Sequence, residues 1–284
     1  MSVTTCPAVA IADLNDVVAV ELTIDGLLLV ADRLDSVEFP PVLGIRHNVA
    51  QPELRAVVWE RVARDLAAQG VLDPGGTPHP EVAAMVDVCC RADRTLEGRW
   101  WRRDAGGRMV RFAVCRRARH HVVAVRDGDM IVVQRIAGQV GLAAMVTAVL
   151  GPAEIADVEP LTASAEALTR SSTPQDVARL GVDPASARRY AELNTDSHSW
   201  VEITAAERHP GGTRSRTTVA AGVLDSRHGR IVSVPRRVNG ELYGSFLPGT
   251  QQNLQRALDG LVRFLPSTVW FDDGPTDFDA DPAD

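Results

Sequence analysis

Between residues 95 and 136 four short runs rich in apolar and β-forming residues are separated by turn signals. TLEGRWWR (95–102) predicts a strand, and Asp104-Ala105-Gly106-Gly107 predicts a turn after it. RMVRFAVCR (108–116) predicts a second strand with Val110, Phe112 and Val114 on one face, and HHVVAVR (120–126) a third. A tight turn at Asp127-Gly128-Asp129 and a fourth strand, MIVVQRI (130–136), complete the series. Then the period changes. Leu142, Met145, Val146, Val149 and Leu150 fall at i, i+3, i+4, i+7 and i+8, the apolar stripe of a helix.

The same order returns between residues 200 and 265. WVEITAAER (200–208), RTTVAAGVL (216–224), RIVSVPR (230–236) and LYGSFL (242–247) predict strands, separated by turns at HPGGT, DSRHG and VNGE. After Pro248-Gly249, the residues Leu254, Ala257, Leu258, Leu261, Val262 and Leu265 line one face of a helix. Helices are predicted before each unit, at 24–34, 52–69 and 80–91 and at 161–170, 174–180 and 184–194, with Pro52 and Pro184 at first turns and Gly70 at an end. The expectation is an α+β protein with ββββα twice, an internal duplication of quasi-two-fold character. A flexible N-terminus at 1–16 precedes halves at 17–151 and 152–271, joined in one compact domain. An acidic disordered tail follows at 272–284, with six aspartates and no apolar period. Antiparallel strands that are apolar on one face need helices there and can leave the other face available.

Charge narrows the function. With 30 basic against 37 acidic residues and a net charge of −7 the chain lacks the broad positive field of a sequence-independent nucleic-acid binder. All of the basic residues are arginine; without a lysine there is no Schiff base, pyridoxal attachment or P-loop phosphate cradle. The start has no basic segment ahead of its apolar residues, so no signal peptide is expected, and no apolar run approaches the ~20 residues of a membrane span. Cys6, Cys89, Cys90 and Cys115 show no metal-binding spacing and are expected as reduced thiols of a cytoplasmic protein.

One stretch stands apart, RWWRRDAGGRMVRFAVCRR (99–117), with adjacent tryptophans and several arginines around a Gly-Gly turn. Period two puts Trp100 and Arg102 on one face and Trp101 and Arg103 on the other, so one ring can enter the core while its neighbour faces out. Other chemistry is sparse. His120 and His121 are adjacent on a strand and point to opposite faces, and Asp127-Gly128-Asp129 lacks further calcium ligands. His209 and His228 sit in predicted turns without an identifiable carboxylate partner, and Glu97 and Glu202 are expected as exposed strand glutamates answering arginines. No nucleophile, metal or nucleotide motif assembles, so no cofactor is expected.

VAVELTIDGLLLVADRL, the segments RTLEGRWWRRDAGGRMVRFAVCRR and HVVAVRDGDMIVVQ, WVEITAAERHPGG, the run from AAGVLDSRHGRIVSVPRR through QRALDGLV, and LPSTVWF together resemble the EspG family of ESX (type VII) secretion-associated proteins of mycobacteria. The likeness spans residues 17–271 and is strongest to the paralogue serving the first ESX system. It implies a central antiparallel sheet with two flanking helical bundles and a non-enzymatic cytoplasmic chaperone. Such a chaperone binds the helical tip of the PPE subunit in a PE–PPE heterodimer at 1:1:1, keeps the pair soluble and delivers it for secretion. It implies neither nucleic-acid binding nor membrane insertion and is compatible with a weak homodimer. Under this reading Trp100, Trp101, Arg102, Arg103, Arg108 and Arg111 belong to a protein-binding sheet, Trp and Arg being frequent interface anchors. Leu254, Leu258 and Leu261 would line an apolar groove beside the last helix. Some relatives carry a long insertion where this chain has only DAGG, so contacts made by that loop do not transfer. A small-molecule enzyme and a nucleic-acid binder using the arginine hairpin are the alternative readings.

Overall fold

A computed structural model describes residues 18–36, 38–48, 51–138 and 140–271; the expectations for 1–16 and 272–284 lie outside them. The first half runs β1 (Ala19–Thr23), α1 (Ile24–Arg33), α2 (Pro52–Ala68), α3 (Pro80–Cys90), β2 (Arg94–Arg102), β3 (Arg108–Arg117), β4 (His120–Asp127), β5 (Met130–Ile136) and α4 (Leu142–Leu150). The second runs β6 (Leu161–Ser164), α5 (Ala165–Arg170), α6 (Pro174–Ala178), α7 (Pro184–Asp196), β7 (Ser197–Arg208), β8 (Arg214–Arg216), β9 (Ala221–Ser226), β10 (Gly229–Val238), β11 (Glu241–Pro248) and α8 (Gln251–Val262). Helix starts are set by short polar side chains. Thr23, Asp183 and Thr250 accept hydrogen bonds from first-turn amides, and Thr173 with Asp176 forms a capping box.

The strands form one eleven-stranded sheet in the order β1-β5-β4-β3-β2-β7-β9-β10-β11-β6, with β8 appended to β7. Every pairing between these strands is antiparallel. Three expectations change. Residues 161–164 are a strand rather than the start of a helix: they pair with β11, and Ser164 then caps α5. With β1 at the opposite edge, each half contributes one strand more than ββββα supplied. RTTVAAGVL is also not one strand. The chain breaks at Thr217, whose amide and hydroxyl both bond to Ala205, and β9 begins only at Ala221.

One face of the sheet is closed by α4 and α8, whose Leu142, Met145, Val146, Leu254, Leu258 and Leu261 pack on Leu96, Phe112, Val201, Ile203 and Val232. The other face carries two separate helical clusters. Leu27, Leu29 and Met85 of α1 and α3 cover Ala113, Cys115, Ala124 and Ile131, while Val177, Tyr190 and Leu193 of α6 and α7 cover Leu161 and Ile231. Neither of these clusters includes a residue of β2 or β7, the two strands at the middle of the sheet. The connection between the halves is strapped down: Arg230 donates to both carboxylate oxygens of Asp225 at 2.7 and 2.9 Å and to Gly151 O at 3.0 Å, and its backbone brackets Glu154 and Ala156.

Gly98 has a packing reason to lack a side chain. A Cβ there would lie 2.2 Å from the fully buried Phe112 ring on the neighbouring strand. Overpacking a closed core costs about 1–3 kcal/mol. Gly98→Ala is therefore expected to destabilise the fold by that amount, read as a lower urea midpoint at unchanged m-value; an unaltered midpoint would show that Phe112 can move aside freely.

Candidate functional site

The uncovered middle of the sheet is built by the β2–β7 register, which sets Trp101 directly opposite Trp200 and Arg99 opposite Glu202. The two indole rings stack in a tilted arrangement with centroids 5.7 Å apart, and Trp200 is 39% exposed. Met109 flanks Trp101 on β3. Trp100 points the other way, into the core under α4 and α8, as alternation along the strand demands. The turn behind Trp101 is tight: Gly106 and Gly107 both take φ of +75°, a conformation that an L side chain resists.

The hairpin arginines are largely satisfied within the chain. Arg102 stacks over Trp100 at 4.4 Å and holds Asp104 through two hydrogen bonds of 2.9 and 2.8 Å, which keep that carboxyl below the ordinary carboxylate range. Arg108 pairs with Asp127 at 3.1 Å, Arg111 donates to Val42 O at 3.4 Å, and Arg99 lies 3.9 Å from Glu202. Arg116 faces Asp93 and Arg117 pairs with Asp87. Arg103 belongs to the short 3-10 turn 103–105, outside β2, and has interactions of its own. An array of guanidinium groups already bonded to carboxylates and carbonyls is a poor phosphate track, since each phosphate contact would have to displace an existing one. Glu97, expected at the surface, is 1% exposed. Arg216 at 3.3 Å and Thr95 Oγ1 at 3.4 Å compensate its charge, a cost tolerable only with such a partner.

The groove beside α8 exists, but Leu254, Leu258 and Leu261 do not line it. All three are buried in the core, and the groove, about 1040 Å³, is bounded by the opposite face of the helix with Gln252, Arg256 and Arg263. An amphipathic helix has one apolar stripe, and here the sheet takes it.

The histidines divide. His228 does have carboxylates that the sequence did not pair with it: Glu192 at 3.3 Å and Asp196 at 3.7 Å, one turn apart on α7. The Arg227 guanidinium fills the space among them, 3.1 Å from Glu192, 2.6 Å from Asp196 and 3.1 Å from His228 Nε2, so the cluster already holds its cation. His209 bonds Ser215 at 2.7 Å. His120 is exposed and His121 buried, on opposite faces as expected. His121 Nε2 accepts a hydrogen bond from Trp270 Nε1 at 3.1 Å. Burial, with Arg116 adding to it, pushes the His121 imidazole down from 6.5 to about 4.

A family model described as the EspG family matches residues 23–260. The ESX-1 secretion-associated protein EspG1 of Mycolicibacterium smegmatis is 62% identical over 261 residues, covering 92% of this chain and 93% of the relative. EspG1 of Mycobacterium tuberculosis is 63% identical over 258 residues, 91% of each. This chain belongs to the EspG family. EspG3 of M. smegmatis, an ESX-3 secretion-associated protein, is more distant within it, at 34% identity over 93% of this chain and 94% of the relative. The M. tuberculosis type VII secretion system chaperone EspG5, solved in complex with a PE25-PPE41 dimer, has the same fold. Its TM-score is 0.69 at 19% sequence identity over 89% of this chain and 98% of the other. The large antiparallel sheet with helices on both faces is thus an EspG fold.

Within this EspG fold two expectations follow. Leu258→Asp places an unpaired carboxylate in a closed core, costing more than about 4 kcal/mol. The variant should fail to give a cooperative melt; a cooperatively folded Leu258→Asp protein would put Leu258 on a surface after all. The second concerns pH. The unfolded chain takes up the His121 proton near pH 6.5 and the folded chain only near 4, so stability from the neutral ring is complete above about 6.5. It is lost as pH falls towards 4, by up to about 3 kcal/mol. His121→Gln should flatten the urea-midpoint profile across that window, and an unchanged slope would assign it to other groups.

Proposed function

We propose that this chain is a cytoplasmic specificity chaperone of the ESX-1 branch of type VII secretion, acting by binding and without catalysis. Its client is a PE–PPE heterodimer held at 1:1:1 through the apolar helical tip of the PPE subunit, kept soluble and delivered to the secretion machine. Two observations support the reading: family membership with relatives named for ESX-1, and the EspG5 chaperone of the same fold solved with a PE25-PPE41 dimer. No described helix is long and apolar enough to cross a membrane.

The observation that carries the choice of surface is the Trp101–Trp200 pair. It lies on the sheet face between the helical clusters, its rings half-buried to exposed, with Met109 alongside and Arg99, Arg102, Arg103, Arg108 and Arg111 on the same hairpin. Rigid aromatic rings deliver large contact area at small entropic cost; Arg99 and Arg111 share the face of Trp101 while Arg102 and Arg108 edge the hairpin from the other face, and such charges select among clients more than they add affinity. An apolar helix tip fits such a platform better than a nucleic acid does, because the arginines have partners already.

Co-expression with candidate PE–PPE pairs followed by size exclusion should yield a 1:1:1 complex with a cognate pair. Trp101→Ala with Trp200→Ala should weaken that complex at least ten-fold, about 1.4 kcal/mol, while the free protein still melts cooperatively. Arg102→Glu with Arg108→Glu should change which pairs are accepted. Full binding by the double tryptophan variant would move the client site elsewhere on the protein.

A further inference from the structure

The groove beside α8 has a chemistry that the client-binding reading does not use. It lies between the β10–β11 hairpin and the polar face of α8, with Arg236 and Arg237 on one wall and Arg256 and Arg263 on the other. All four are exposed, and none forms an ion pair with a described carboxylate, in a chain where most hairpin arginines do. Arg237 donates only to Gly240 O at 3.3 Å and lies over the Phe264 ring at 5.7 Å; Arg256 donates to Asn253 Oδ1 at 3.3 Å. Among the groove residues the one carboxylate is Asp259, and Gln255 Nε2 occupies its Oδ1 at 2.8 Å. Four uncompensated guanidinium groups around a groove of about 1040 Å³, in a molecule of net charge −7, make a local anion site.

We infer that this groove is the docking site of the chain's own acidic C-terminal segment, residues 272–284, so that the segment covers the α8 surface and competes with any other acidic peptide for it. Charge complementarity is the first argument. DDGPTDFDADPAD carries six aspartates, no arginine, and one phenylalanine, Phe278, matched to four arginines and Phe264. Reach is the second. Phe264 lines the groove and the described chain ends seven residues later at Phe271, no more than about 25 Å away, whereas thirteen further residues span up to about 45 Å. Tethering supplies a millimolar effective concentration, enough to fill the groove by weak charge-assisted contacts. The inference is independent of where a PE–PPE pair binds.

The test uses the full chain and a variant in which all six aspartates of 272–284 are replaced by asparagine. A synthetic peptide, DDGPTDFDADPAD, is titrated into each by calorimetry at 50 mM salt. The asparagine variant should bind the peptide, and the native chain, whose own segment competes, should bind it at least ten-fold more weakly. Adding Arg256→Glu and Arg263→Glu to the asparagine variant should abolish binding while the cooperative melt is retained, and 300 mM salt should weaken it strongly. Equal affinity for both chains, no binding to either, or binding indifferent to Arg256 and Arg263 would overturn the inference. So would capture of phosphatidylglycerol vesicles by the groove arginines in the absence of peptide binding.

Discussion

Everything distinctive about the molecule hangs on one antiparallel seam, the pairing of β2 with β7 from Arg94↔Glu207 to Arg102↔Ser199. Each half ends in a strand that would otherwise be an open edge, and joining them converts a five-strand and a six-strand sheet into one continuous surface. The seam fixes register across a sequence separation of about a hundred residues. A slip of β2 by one residue against β7 would drive Trp101 towards the α4–α8 core, expel Trp100 and break the Trp101–Trp200 pair. The same register brings Glu97 beside Thr204 and within reach of Arg216.

The seam also explains why the chain leaves aromatic surface uncovered. Helices of the first half reach β3, β4 and β5, and those of the second reach β6, β10 and β11. The two sets cannot meet over the middle without burying the charged pair Arg99–Glu202, 38% and 53% exposed at their side chains, in a low-dielectric contact. What remains between them is a platform with stacked indoles at its centre and bonded arginines around it. Such preorganised surface loses little entropy when a partner arrives. The α8 groove is the opposite case, a place where arginines stand without a described carboxylate partner.

Much of this architecture is legible in the sequence because the strands are short-range hairpins with strong turn signals. Gly106-Gly107, Asp127-Gly128 and Asn239-Gly240 mark the turns, and the period-two runs around them become β3, β4, β5, β10 and β11 within a residue or two. The edge strands β1 and β6 escape because their alternation, AVELT and LTAS, lasts only five and four residues and runs straight into a helix; their pairing with β5 and β11 defines them. Site residues are harder. Trp101 is visible in the hairpin, but Trp200 acquires meaning only through the seam, and Glu192 and Asp196 reach His228 across more than thirty residues. The α8 leucines mislead for the simplest reason: an apolar stripe records burial and is silent on whether a sheet or a partner buries it.

The central claim is that the open face over β2 and β7 receives the client, and side-chain footprinting reads it without any substitution. Hydroxyl-radical labelling of the free chain and of its purified complex with a cognate PE–PPE pair should show Trp101, Met109 and Trp200 protected in the complex, with Trp59 and Met130 unchanged. Protection confined to the α8 groove or to the outer helices, with Trp200 labelled equally in both states, would contradict the account.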